Sequence, residues 1–169
     1  MIYNFPVVTA GIDLDSDLIS TLAKHPNIVG VKLSCGNIGK LQRIVTSVSP
    51  SEFATFPGKA DVFLQGLISG SAGLIGALPN VVPKLHVQLL VMYREGKLDD
   101  AVKLQALLGQ SDWELGKLGS IAGIKAIVSK EFGYGEPHVR GPLSPLNSER
   151  LASIGGLAEA IETEKWMGN

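Results

Sequence analysis

The sequence predicts an α/β protein in which parallel βα units come first and a wholly helical region follows. Short apolar runs alternate with amphipathic segments before Leu74, which is the rhythm of such units. After Leu74 the apolar residues recur only at helical spacing. With 169 residues, 45% of them hydrophobic, the chain is long enough for one domain with a sizeable core.

Four short strands and two helices are predicted before Leu74. The first helix begins with acidic residues, which favour a helix N-terminus, and both helices carry apolar residues along one face. In chain order the segments are strand Met1 to Tyr3, helix Asp15 to Lys24, strand Ile28 to Leu33, helix Asn37 to Val48, strand Ser51 to Phe56 and strand Phe63 to Ile68.

The helical region is predicted to contain four further helices with apolar faces for packing. Clusters of Gly and Pro punctuate the chain near its end, at 133–137 and 141–145. The chain is therefore divided into residues 1–95, with the βα units, and residues 96–169. The predicted helices are Pro83 to Glu95, Leu98 to Leu108, Trp113 to Lys130 and Asn147 to Lys165.

Composition excludes several classes of partner. The net charge is −1 and the basic residues are scattered, which gives no broad surface for a nucleic-acid backbone. The longest apolar stretches are interrupted by Gly, Pro and charged residues, so no membrane span is expected. The single Cys35 cannot form an internal disulfide and suits a reducing compartment. A soluble intracellular chain is expected, in the cytoplasm or a mitochondrion.

No metal or cofactor is expected. Asp13, Asp15 and Asp17 have the opening spacing of a calcium loop, but Leu18 stands where that loop needs Gly, and helix capping explains them better. The three histidines match no metal-ligand spacing, and neither nucleotide-binding glycine motif is present. The turn 69–73 lacks the first Gly of a nucleophile elbow, although its small residues could admit an anion.

Lys32 and Tyr3 are the candidate catalytic residues. Each lies at or near the end of a predicted strand, and one βα repeat separates them, so in a parallel barrel both would point into one mouth. A lysine on a buried strand loses hydration, which favours the neutral amine that attacks a carbonyl. A phenol beside it could move the protons of such a reaction. Taken without Tyr3, Lys32 is better explained as a structural residue that extends its amine to solvent.

Three motifs, which follow one another along the chain in the family order, resemble the dihydrodipicolinate synthase and N-acetylneuraminate lyase family of class I aldolases. They are Tyr3-Asn4-Phe5-Pro6, then Gly30-Val31-Lys32-Leu33-Ser34, then the segment 70–80 from Gly70-Ser71-Ala72-Gly73 to Pro79-Asn80. Residues 121–126, 133–135 and 139–143 resemble the family's C-terminal helical region. The resemblance covers nearly the whole chain and implies the C-terminal half of a (β/α)8 TIM barrel followed by helices.

The resemblance also implies the roles of individual residues. Lys32 would form the Schiff base, Tyr3 would shuttle protons, and Gly58 and Ile75 would line the pocket for a pyruvate-like 2-oxo acid. Members that condense aspartate semialdehyde carry an arginine where this chain has Val8. The resemblance is therefore nearest to the 4-hydroxy-2-oxoglutarate aldolase branch.

The first four strands of the family barrel have no counterpart in this sequence. A half-barrel leaves unpaired strand edges and an uncovered interior layer. We therefore expect it to form a homo-oligomer, to bind a separately supplied N-terminal half, or to be a truncated product that folds poorly alone. Two hypotheses follow. The chain is a Schiff-base lyase acting on a 2-oxo acid, or it is a non-catalytic truncated remnant or oligomerisation module of the same family.

Overall fold

The computed structural model describes residues 1–146 and 155–167, and it contains two compact units. The first covers residues 1–76 and the second residues 77–169. This division concerns compactness. The predicted boundary after residue 95 instead separates the half-barrel of βα units from the helical region, and it stays a prediction.

The first unit is built on a three-stranded parallel sheet. Its strands are β1 (Ile2–Asn4), β2 (Gly30–Leu33) and β3 (Ala54–Pro57), and they lie in the order β1-β2-β3. Tyr3 pairs in register with Lys32, and Lys32 with Phe56. The order and the parallel direction match the consecutive βα units predicted from the sequence.

Helices α1 (Ser16–Leu22), α2 (Ile38–Ser47) and α3 (Phe63–Ile68) complete this unit. The Asp15 carboxylate caps α1 by accepting the backbone N–H of Leu18 at 2.8 Å, which confirms the capping interpretation of this residue. The Asn37 side chain caps α2 in the same way. Asn37 and Val48, the predicted ends of the second helix, flank the observed helix directly.

The core of the first unit lies between the sheet and helices α1 and α2. Val31 and Leu33 of β2 are almost fully buried on this face, together with residues from both helices. Because successive side chains of a strand point to opposite faces, Tyr3, Lys32 and Phe56 occupy the other face. The cluster on the covered face consists of Ile19, Val31, Leu33, Leu41, Ile44 and Phe53.

The fourth strand was predicted at the wrong place. Phe63–Ile68 forms helix α3, and its buried residues Phe63, Leu64, Gly66 and Leu67 have helical spacing. A short apolar run cannot distinguish a buried strand from a buried helix turn. Residues 72–75 instead run along the free edge of β3, where Ala72 N–H donates to Thr55 O and Ile75 N–H to Pro57 O. They occupy the fourth-strand position without forming a regular ladder.

The second unit consists of four described helices. They are α4 (Pro83–Arg94), α5 (Leu98–Lys117), α6 (Ile121–Phe132) and α7 (Gly155–Trp166). The sequence placed a break between Leu108 and Trp113, but α5 is continuous there, and the break follows at Gly119 and Ser120, both with positive φ. The first part of the predicted helix Asn147 to Lys165 lies outside the described residues.

The polar stretch inside α5 explains why that break was predicted. Gln110 and Ser111 resemble loop residues in the sequence, yet their side chains bond within the helix. The Ser111 hydroxyl donates to Leu107 O at 2.8 Å, and the Gln110 amide donates to Glu114 at 2.9 Å. Helix propensity and these local hydrogen bonds keep the polar stretch helical.

Two glutamates of the second unit each cap the N-terminus of a different helix that packs against their own. Both carboxylate oxygens of Glu164 accept backbone N–H groups, from Lys84 at 2.9 Å and Leu85 at 3.0 Å, at the start of α4. Glu114 does the same for Gly156 and Leu157 at the start of α7. A carboxylate suits the positive end of a helix dipole. These contacts fix how α4, α5 and α7 pack.

None of the helices in residues 1–146 and 155–167 is long and apolar enough to cross a membrane.

Candidate active site

Tyr3 and Lys32 lie side by side on neighbouring strands. They are register partners, and the Lys32 Nζ lies 4.5 Å from the centroid of the Tyr3 ring. At this distance the amine contacts the electron-rich face of the ring. The structure thus brings together the two residues that the strand spacing singled out, while their catalytic roles stay predictions.

The pair lies on the face of the sheet that α1 and α2 leave open. Tyr3 is half exposed, whereas Val31 and Leu33 on the covered face are 0% and 1% exposed. In a closed parallel barrel the face opposite the helices is the interior. Because Tyr3 is half exposed and Lys32 is partly exposed, a small molecule can reach both side chains from this face.

Ser34 and Gly58 lie one layer further along the same face. Ser34 follows Lys32 by two residues, and its hydroxyl donates to the Tyr3 phenol oxygen at 3.5 Å, the outer limit of a hydrogen bond. Gly58 N–H donates to Leu33 O at 2.8 Å. A Cβ at Gly58 would lie 2.2 Å from the Ser34 Oγ, so a glycine is required for this close approach.

Ile75 and Gly73 line the edge beyond β3. The half-buried Ile75 is held by its backbone bond to Pro57, at 3.2 Å. A Cβ at Gly73 would lie 3.7 Å from the Phe56 ring, so this segment runs past the residue that pairs with Lys32. Ile75 and Gly58 accordingly lie on the segments next to the Lys32 row, as pocket residues would.

A buried polar network orders the loop that follows Tyr3. Asn4, 2% exposed, donates to Asp13 at 2.7 Å and accepts the N–H of Leu14 at 3.0 Å. Lys40, 3% exposed, donates to both Asp13 and Leu14 O. The hydrogen bond from Lys40, with that from Asn4, holds the pKa of Asp13 below its usual value. The loop ends are thereby tied to β1 and α2.

Val8, in the same loop, is 65% exposed and lies in the short 3-10 helix Pro6–Val8. It offers no charge to a carboxylate. Within the part of the chain that the structure describes, no three side chains of His, Cys, Asp or Glu come together where they could hold a metal ion.

Three residues near the site are not predicted from the sequence: Ser34, Phe56 and Lys40. The alternation of side chains along a strand could have identified Ser34, because it lies two residues after Lys32. Phe56 required the register between β2 and β3, and the contact of Lys40 with Asp13 joins residues that are 27 positions apart. No local pattern signals such a contact.

The comparisons with known proteins agree on one family. Residues 1–161 match the dihydrodipicolinate synthetase family. The chain is 43% identical to an Emericella nidulans protein named "Probable 4-hydroxy-2-oxoglutarate aldolase, mitochondrial", over 98% of this chain and 53% of that protein. It is 42% identical to an L-threo-3-deoxy-hexylosonate aldolase from Hypocrea jecorina, over 98% of this chain and 54% of the relative.

A solved structure shows the same fold. The chain superposes on YagE, an Escherichia coli K12 protein of the dihydrodipicolinic acid synthase family determined in complex with pyruvate, with a TM-score of 0.84 and 29% identity. The match covers 95% of this chain and 55% of YagE. The chain thus spans about half the length of the relatives it matches, as the half-barrel prediction requires.

Proposed function

The chain belongs to the dihydrodipicolinate synthetase family, and from that premise we propose that it carries the Schiff-base lysine of a class I aldolase. Lys32 is the nucleophile, Tyr3 moves protons, and the substrate is a pyruvate-like 2-oxo acid. The contact between the Lys32 amine and the Tyr3 ring on the open face of the sheet is the observation that carries this proposal.

The surroundings of the pair support it. Lys32 lies between Tyr3 and Phe56 in one row across three strands, and Ser34 lies in the next layer. A rigid parallel sheet holds the nucleophile and the proton donor at a constant spacing, which is what a multistep proton transfer needs. YagE was determined with pyruvate bound, which supports a ligand of this class.

The proposed reaction starts when the deprotonated Lys32 amine attacks the C2 carbonyl of a 4-hydroxy-2-oxo acid. Tyr3 donates a proton to the departing hydroxyl, so water leaves and an iminium remains. The 4-hydroxyl then gives its proton to the Tyr3 phenolate as the C3–C4 bond breaks, releasing an aldehyde and leaving an enamine. Protonation at C3 and addition of water release pyruvate and restore Lys32.

The substrate is proposed to be 4-hydroxy-2-oxoglutarate or a similar 4-hydroxy-2-oxo acid. The two relatives named above are both called aldolases, and their names differ in the substrate. Val8 supports an aldolase rather than a synthase, because it places no positive charge in the loop after β1 where synthases of the family carry arginine.

The open face also requires a partner. β1 and the 72–75 segment are the two edges of the sheet, and Tyr3 is half exposed on the uncovered interior layer. Unpaired strand edges and an uncovered sheet face favour association. We propose that a second copy of the chain, or a separately supplied first half, completes the barrel.

A non-catalytic remnant is the second candidate function. It is favoured by the exposure of Tyr3, which is 50% exposed, because a closed site that excludes water would shield a proton-transferring phenol. In that case Lys32 and Tyr3 are inherited without turnover, and the helical unit serves association.

Trapping with borohydride separates the two functions. The full chain is incubated with pyruvate and sodium borohydride, and its intact mass is measured. Catalytic competence predicts one reduced pyruvate adduct per chain, because hydride reduces the Lys32 imine to a stable secondary amine. An unchanged mass, when a full-length relative is labelled in parallel, leaves the remnant as the function.

Two variants control the trapping experiment. Lys32→Ala should abolish the adduct. Lys59→Ala, which removes an exposed lysine just after β3, should leave it intact. Labelling that survives Lys32→Ala would assign the imine to another amine and refute the proposed role.

A further inference from the structure

A basic cavity lies in the second unit, between α6 and the irregular segment that follows it. It is open to solvent and has a volume of about 400 Å³, and Ile121 and Lys125, one helical turn apart on α6, form one wall. The opposite wall comes from the segment 138–143. Among the described residues, the lining is Ile121, Lys125, His138, Val139, Arg140 and Leu143.

The described residues of the lining are positive or apolar, and none of them is acidic. Lys125 and Arg140 are cationic, and His138 can donate a hydrogen bond in either charge state. Among the described residues, neither Lys125 nor Arg140 has an acidic group within ion-pair distance. Glu131, the acidic residue of α6, is engaged by Lys130 at 3.4 Å and Lys165 at 2.9 Å.

The segment that forms the second wall is anchored in place. Val139 is 7% exposed and anchors the segment, whereas the side chains of its neighbours His138 and Arg140 are exposed at the cavity. A turn closes behind them, with Leu143 N–H donating to Arg140 O at 3.1 Å. A neighbouring cavity of about 220 Å³ shares Lys125 but includes Glu136, so it is less suited to an anion.

We propose that the basic cavity binds a small dicarboxylate. Arg140 and Lys125 would each take one carboxylate, because guanidinium and ammonium groups form the strong charge-assisted bonds that carboxylates accept. Ile121, Val139 and Leu143 would contact the carbon chain between the two charges, which inorganic phosphate lacks. The volume suits a small organic acid. The described residues that line the cavity all belong to the second unit, whereas Lys32 belongs to the first.

Titration calorimetry of the full chain with glutarate tests the proposal. Glutarate has no ketone and cannot form an imine with Lys32, so no covalent step contributes to the heat. It shares the five-carbon skeleton of the proposed substrate, so the cavity variants assign the binding to this cavity. We expect one glutarate per chain, no measurable heat with propionate, and weaker binding of phosphate than of glutarate. Arg140→Gln and Lys125→Met should each weaken glutarate binding roughly tenfold, since each removes a charge-assisted contact.

Lys130→Met is the matched control, because Lys130 lies on the same helix and outside the cavity. It should bind glutarate like the unmodified chain. Circular dichroism melting of each variant checks the fold. Absence of glutarate binding, preference for phosphate, or unchanged affinity in both cavity variants would overturn the proposal.

Discussion

At the scale of single residues, the site depends on a few close contacts across neighbouring strands. Tyr3 and Lys32 could be found from the sequence because the end of each strand carries a reactive side chain and one repeat separates them. Ser34 and Gly58 could not be paired in this way. Their contact depends on how closely β2 and the end of β3 approach, which no sequence pattern encodes.

Gly58→Ala should destabilise the first unit by about 1–3 kcal/mol, because overpacking at a close contact forces backbone shifts. The new Cβ would lie 2.2 Å from Ser34 Oγ and 2.7 Å from Ser34 Cα, so a side-chain rotation cannot relieve it. Urea unfolding measures the difference in free energy.

Gly39→Ala is the control for that measurement. Gly39 lies in α2 of the same unit, and its Cβ would first meet the flexible end of Arg43, at 3.4 Å. This variant should be neutral or slightly stabilising, since alanine favours helices. Equal stability of the Gly58→Ala and Gly39→Ala variants would contradict the close-packing account.

His86 is expected to make the stability of the second unit sensitive to pH. Burial lowers the pKa of His86 below its usual value of 6.5, against the effect of its hydrogen bond to Val82 O. The unfolded chain therefore takes up the proton more readily than the folded one. Stability should be complete above about pH 6.5 and should fall as the pH drops below that value.

Unfolding by urea at pH 7.5 and pH 5.5 tests this expectation. His86→Asn, which keeps a hydrogen-bond donor, should flatten the pH dependence, and the exposed His25→Gln should preserve it. If His86→Asn retained the pH dependence of the unmodified chain, another group would be responsible.

At the scale of elements, helices and strands with strong caps and clear periodicity could be predicted closely. Asn37 and Val48 flank α2 as expected, because the apolar spacing and the side-chain cap agree. The short apolar segment Phe63–Ile68 could not be assigned, because its length fits a strand or a helix turn. The break after α5 depends on positive φ at Gly119 and Ser120 rather than on the polar residues before it.

Removal of a glutamate cap should destabilise the second unit. Glu164→Gln should lower the free energy of unfolding by about 1–3 kcal/mol, because an amide offers one acceptor oxygen where the carboxylate uses two. Chemical unfolding monitored by helical circular dichroism measures the loss.

Glu162→Gln is the matched control, two residues away on the same helix. The Glu162 side chain is 73% exposed and pairs only at the surface with Lys165, at 3.0 Å. A surface pair of this kind contributes about 0–1 kcal/mol. A Glu164→Gln loss no larger than the Glu162→Gln loss would show that the cap does not stabilise α4.

At the scale of the whole molecule, the chain carries one part of a family fold. The half-barrel was predicted from family motifs, and the coverage of about half of each relative agrees with it. Physical pattern alone predicted parallel βα units. It could not predict closure of a barrel, because closure depends on strands that this sequence does not contain.

The open interior face predicts association. In sedimentation velocity the full chain should be larger than a monomer at micromolar concentration, because two sheet edges and the layer around Tyr3 lack a partner within the described residues. Adding the first half of a related aldolase should shift the chain into a mixed complex. A chain that sediments as a monomer and forms no complex with the added half would contradict the expected association.

The central claim is that Lys32 is a nucleophile poised beside Tyr3. Peptide mapping after borohydride reduction with pyruvate tests it most directly, because it locates the label on a single residue. We predict that the reduced adduct is found on Lys32 and that Tyr3→Phe slows its formation. An adduct confined to other lysines, or none on a chain whose full-length relative is labelled, would contradict the claim.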